Sequence, residues 1–188
     1  MTRRLVLALF AAAAIVSASG APEPAPGQKV QLHGVLVDLN GGASVDLASE
    51  TRGKKTLVFL WDTWCGSCTA RIPDMNATYR SLQGRDDVRF LSICGDNGYE
   101  GADPTDRTPQ PKAALHVKKQ HILYPALFDT AQARVSTQFG DADFPNLFLL
   151  DPDGAVVASW NSEGGYEPFM SKARKYLGVP ATKGGAKR

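Results

Sequence analysis

Apolar and polar positions change period several times along this chain, and each change predicts an element. Residues 30–39 alternate between apolar and polar, Asn40-Gly41-Gly42 turns the chain, and residues 44–47 return it, which predicts a hairpin. Residues 56–61 form an apolar run of strand length. A helical pattern then runs over about residues 65–83, where Gly84 stops it. Residues 88–94 predict a further strand. Residues 95–111 hold Gly, Pro and four acidic side chains without any period. Loops beyond about 12–15 residues are uncommon and are usually functional or mobile. Beyond that loop the pattern predicts a helix over 112–120, a strand over 123–128 and a helix over 130–139 closed by Gly140. Strands at 146–150 and 155–160 flank the turn Asp151-Pro152-Asp153-Gly154. A last helix over 167–177 puts Phe169, Ala173 and Leu177 on one face. There are no internal repeats. Strands alternating with helices predict an α/β sandwich built on a mixed sheet.

Composition adds little to that picture, but the two ends of the chain change it. The hydrophobic fraction of 43% and charged fraction of 21% are those of an ordinary globular domain. Residues 1–20 read as a secretory signal, with Arg3 and Arg4 before an apolar stretch and Ala18-Ser19-Gly20 as a small-residue cleavage site. A membrane anchor is the alternative, but crossing a bilayer takes about 20 apolar residues and this run is shorter. Residues 21–29, rich in Pro and Ala, predict a linker, residues 30–178 the folded domain, and residues 179–188 a basic flexible tail. Removing residues 1–20 takes two of the 21 basic side chains and none of the 19 acidic ones, leaving 19 against 19. A neutral chain lacks the basic surplus that nucleic-acid binding draws on. The expected protein is exported, periplasmic or otherwise extracytoplasmic, and binds no nucleic acid.

The candidate chemistry lies at Trp61-Asp62-Thr63-Trp64-Cys65-Gly66-Ser67-Cys68, where a strand gives way to a helix. Two cysteines three positions apart at a helix start make a redox motif. Unpaired N–H groups and the positive end of the helix dipole favour a thiolate there. Cys65 is expected to be the exposed nucleophile and Cys68, one turn further in, the buried resolving thiol. The Cys65 thiol should titrate below the ordinary value of about 8.5, which alkylation rates across pH would measure. A purely structural disulfide is the plain alternative, but closing a four-residue loop yields only about 1.9 kcal/mol in the chain-entropy model. Zinc wants four ligands, and no second cysteine pair exists to supply them. Cys94 ends an apolar strand and is read as core, outside the cycle. His116 and His121 are read as surface residues. Asp62 and Glu100 are candidate acids for proton exchange with the thiols, a solvated loop position being the favoured reading of Glu100, with Trp64 a rim residue and Trp61 core.

Taken together these motifs resemble the thioredoxin superfamily, and within it the exported TlpA-like and ResA-like reductases. The resemblance rests on Trp61, Trp64, Cys65 and Cys68, on Pro73 five residues later, on Phe144-Pro145 before a strand, and on Asp151-Pro152-Asp153-Gly154 before the closing helix. It covers roughly residues 30–178. It implies a thioredoxin-like fold with an N-terminal hairpin and a helix-strand insert at about 112–128. It also implies that Pro145 is cis and that Phe144 and Pro145, with Trp64, receive the substrate. Two departures stand out. The dipeptide between the cysteines is Gly-Ser, without proline, and Phe59 occupies the position where thioredoxins often carry a buried acid.

The expected activity is thiol–disulfide exchange, as an exported reductase or exchanger of protein disulfides, without cofactor or metal. Expected partners are protein disulfides or dithiols, including components of cytochrome maturation, and an upstream membrane electron donor. A peroxidase of the peroxiredoxin type requires Thr where Asp62 stands. A copper-binding module of the Sco type uses cysteines separated by three residues, against two here. A redox-inert interaction domain is the remaining alternative.

Overall fold

The computed structural model describes residues 22–95, 111–129, 135–140, 144–162 and 164–179. Among the described residues seven strands form one mixed sheet in the order β2-β1-β5-β4-β3-β6-β7. The hairpin β1 (Val35–Asp38) and β2 (Ser44–Asp46) is antiparallel and lies at one edge. A short helix that the pattern did not predict, α1 (Leu47–Thr51), follows directly, because the Asp46 carboxylate accepts from Ala48 N–H as its N-cap.

The centre of the sheet is β3 (Lys55–Trp61) running parallel to β4 (Val88–Cys94), joined by α2 (Gly66–Leu82). Both strands are apolar on both faces, as expected of strands covered twice. Leu57, Phe59 and Trp61 meet α2, α3 (Pro111–Lys119) and α4 (Tyr166–Leu177), while Val58 and Leu60 pack with Leu47, Val135 and Phe139 on the other face. Beyond β3, the antiparallel strands β6 (Asn146–Leu150) and β7 (Val156–Trp160) complete that side of the sheet. Residues 22–29, read as a linker, lie against β7, with Gly27 N–H donating to Val156 O and Val156 N–H to Gln28 O.

Two predicted elements are shorter than their patterns. The strand expected over 123–128 is β5 (Ala126–Phe128) alone, since Pro125 lacks an N–H and Leu123 N–H donates instead to the Asn76 side chain of α2. Over 130–139 the described part is a 3-10 helix, Val135–Phe139, where an α-helix was expected. The buried Asp129 carboxylate accepts from the N–H groups of Val135 and Ser136 and fixes the start of that tight turn. The segments 1–21 and 180–188, and most of the 95–111 loop with Glu100, lie outside the described residues.

Candidate active site

β3 ends at Trp61, and three residues carry the chain into α2. Cys65 N–H donates to Asp62 O at 3.3 Å, closing that turn. Cys65 is the N-cap of α2, with extended backbone, and its Sγ accepts from Cys68 N–H at 3.1 Å. Sulfur thus occupies the place that a Ser or Asp oxygen fills in most caps. Cys65 and Cys68 are joined in a disulfide, with Sγ atoms 2.06 Å apart. When that bond opens, the same N–H group and the helix N-terminus face the Cys65 sulfur and favour its thiolate. Ser67 Oγ lies 3.4 Å from the same sulfur, a polar contact that a proline in the dipeptide would not offer.

The expectation of an exposed Cys65 is corrected by the structure. Cys65 is 4% exposed and Cys68 1%. The disulfide draws Cys65 Sγ onto the first turn of α2, where the two cysteines join the core cluster of that face.

The Phe144–Pro145 peptide is cis. Asn146 pairs with Leu60, so the register sets Pro145 level with Trp61, where β3 gives way to the cysteine turn. The Ser162 hydroxyl donates to Pro145 O at 3.0 Å and ties this bend to the end of β7. Trp64, 54% exposed, meets the Phe144 ring edge-on with centroids 6.2 Å apart. Phe144 in turn packs on Gly95, just past the end of β4. A Cβ at Gly95 would stand 2.8 Å from Phe144 Cζ and 3.4 Å from Asp62 Oδ1. A glycine is required there for close approach.

Of the acids singled out, Asp62 is buried at this site, at 2% exposure. Sequence reasoning missed Gly95, Ser67 and Ser162. Only the Gly-Ser dipeptide carried a local signal; the other two act through partners dozens of residues away or across the sheet. His116 is also corrected. Its ring is half-buried and stacked 5.6 Å from Trp61, because α3 lies over the end of β3; His121 is exposed as expected. Among the described residues no group of three His, Cys, Asp or Glu side chains is gathered as a metal site.

Cys94 is fully buried, paired in register with Trp61 on one side and Phe128 on the other. So enclosed a thiol is closed to an incoming disulfide. Cys94→Ala is expected to leave turnover within about twofold and to lower stability by about 1 kcal/mol, read by urea unfolding. A tenfold fall in turnover of the folded variant would instead require a three-cysteine relay.

Residues 22–171 match the family model for Redoxin. The chain belongs to the Redoxin family. As a Redoxin-family chain it is 28% identical over 123 residues to the thiol-disulfide oxidoreductase ResA of Bacillus thuringiensis (strain Al Hakam), covering 65% of this chain. It is 26% identical over 125 residues to ResA of Bacillus subtilis (strain 168), again over 65% of this chain. The matches span 62% and 60% of those relatives' own lengths. Among solved structures, the thioredoxin domain of a thiol-disulfide oxidoreductase from Bacteroides vulgatus superposes with a TM-score of 0.62 at 18% identity, over 81% of this chain and 98% of that one. A secreted disulfide oxidoreductase of Mycobacterium tuberculosis, homologous to DsbE of E. coli, gives 0.57 at 19% identity, over 78% and 97%. These structures share its fold, which is thioredoxin-like.

Proposed function

We propose that this Redoxin-family protein is an exported thiol–disulfide oxidoreductase that reduces disulfides of client proteins. One observation carries the reading: a Cys65–Cys68 disulfide caps α2, and the cis Phe144–Pro145 peptide stands level with the end of β3 that leads into it. In the reduced protein the Cys65 thiolate attacks a client disulfide, forming a mixed disulfide and releasing one client thiol. Cys68 then attacks Cys65, re-forming the internal disulfide and releasing the second client thiol. Trp64, Phe144 and Pro145 form the rim that takes the client backbone, and Asp62, buried at the same turn, serves as proton partner to the thiols. Glu100 is kept as a second acid of that kind.

Export is supported by the pattern of residues 1–20. No helix among the described residues is long and apolar enough to cross a membrane. In this reading residues 1–20 are removed and residues 30–178 form the working domain. A membrane-held donor returns electrons to the disulfide, and components of cytochrome maturation are among the clients.

Insulin turbidity in dithiothreitol tests the activity. The protein should shorten the lag before precipitation, and a lag equal to that of dithiothreitol alone would overturn the reading.

A further inference from the structure

One turn beyond Cys68, α2 carries a cation that the cycle described above does not use. Arg71 stands three positions after Cys68, a spacing that puts two helix side chains about 5–6 Å apart at their Cβ atoms. Helix side chains lean toward the N-terminus, which inclines Arg71 toward the Cys68 end of α2. Its guanidinium lies over two rings. The carbon Cζ sits 3.9 Å from the centroid of Tyr166 and 5.6 Å from that of Trp160, and the rings meet edge-on at 5.1 Å. Tyr166, Trp160, Cys65 and Cys68 belong to one buried cluster. The buried Nε finds no hydrogen-bond acceptor, and no ion pair among the described residues involves Arg71.

Other charges do reach this neighbourhood. Burial pushes the Tyr166 hydroxyl up, Asp74 adds to that shift, and Arg71 and Arg174 oppose it. Arg174 has Glu167 at 3.7 Å, and Asp62 lies buried at the same end of the sheet. Arg71, half-buried, stands one helical turn after the resolving Cys68, and a half-buried charge is screened less than one at the surface.

We propose that Arg71 favours the thiolate of Cys68 when exchange opens the disulfide, and so hastens the step in which Cys68 releases a client held on Cys65. The inference rests on the exchange cycle proposed above and names the group that drives its second half. In that step the Cys68 thiolate attacks Cys65 Sγ. The Cys65–Cys68 bond forms, the Cys65–client bond breaks, and the client sulfur leaves as a thiolate that takes up the proton Cys68 gave up. Two electrons have then passed from the protein to the client. A positive charge beside a thiol favours its ionised form, and only the thiolate attacks.

The test is a titration of Cys68 alone, in the full chain with Cys65→Ser and Cys94→Ala, followed by ultraviolet thiolate absorbance. Adding Arg71→Met keeps an apolar stem on the two rings and removes the charge. It should leave Cys68 about tenfold less ionised at any pH below its midpoint, and Arg71→Lys should restore most of the loss. With both cysteines present, Arg71→Met should slow release of a bound client about tenfold at pH values below that midpoint. Superimposable Cys68 titrations with and without the charge would overturn the proposal and leave Arg71 a packing residue. Should Arg71→Met lose its fold by circular dichroism, Arg71→Gln carries the same comparison. No client enters the titration, so failure of the protein to act on insulin would not be mistaken for failure of this inference.

Discussion

Cys65→Ser is expected to reduce exchange to the uncatalysed rate, whereas Cys68→Ser should hold its client in a mixed disulfide that does not resolve. The asymmetry follows from the helix start. Cys65 is the N-cap, and its Sγ accepts the Cys68 N–H at 3.1 Å, so a thiolate formed there meets a donor already in place. Cys68 stands inside the first turn at 1% exposure, and its N–H is the group that faces the Cys65 sulfur. Non-reducing gels of each variant with a model client would separate the roles. If the Cys65→Ser protein is the one that accumulates the adduct, the order of attack is reversed. If neither does, the disulfide is a staple and the activity proposed here fails.

Phe59 is the site of the second large effect. It is fully buried on β3 and meets Tyr124 edge to face at 6.4 Å. Thioredoxins often place an acid at this position, and here the surroundings have been built for a ring. Phe59→Ala should cost about 3–5 kcal/mol, the usual loss for a buried Phe and the cavity left behind. Phe59→Asp should cost more at neutral pH, since its charge would be desolvated without a partner. Burial raises the carboxyl in the folded state above its unfolded value of about 3.9. The sign follows from linkage: the unfolded state releases its proton first, so the added loss grows as pH rises from about 4 toward the folded midpoint. Urea unfolding of Phe59→Asp against Phe59→Asn at several pH values would show the gap widening with pH. A constant gap would mean that the carboxyl reaches water, and that position 59 is less enclosed than the packing indicates.

The same position explains why proton handling was not legible in the chain. The pattern has Phe59 where thioredoxins often carry an acid and offers Asp62 and Glu100 as substitutes, Glu100 in a loop that favours a solvated position. Folding buries Asp62 against Gly95 and Phe144, although Gly95 and Phe144 are separated from it by tens of residues. Glu100 lies outside the described residues. Arg71 drew no comment in the sequence because its meaning depends on Trp160 and Tyr166, which arrive from β7 and α4.

What the sequence by itself determined is whatever chain neighbours decide. The apolar run of β3, the cysteine pair at the strand–helix junction, Gly84 after α2 and the Asp151–Gly154 turn all act over a few residues, through period, capping and turn geometry. Tertiary structure alone decided the rest. The Asp129 carboxylate holds the 135–139 segment in a 3-10 turn, overriding a helical pattern. The Asn76 side chain takes the Leu123 N–H and shortens β5. The cis bend at Pro145 gains its place from the pairing of Asn146 with Leu60 and from Ser162. Hydrogen-bond partners 6 to 86 residues distant, and rings packed from opposite ends of the chain, leave no periodic trace, because the contacts that select them exist only once the sheet has closed.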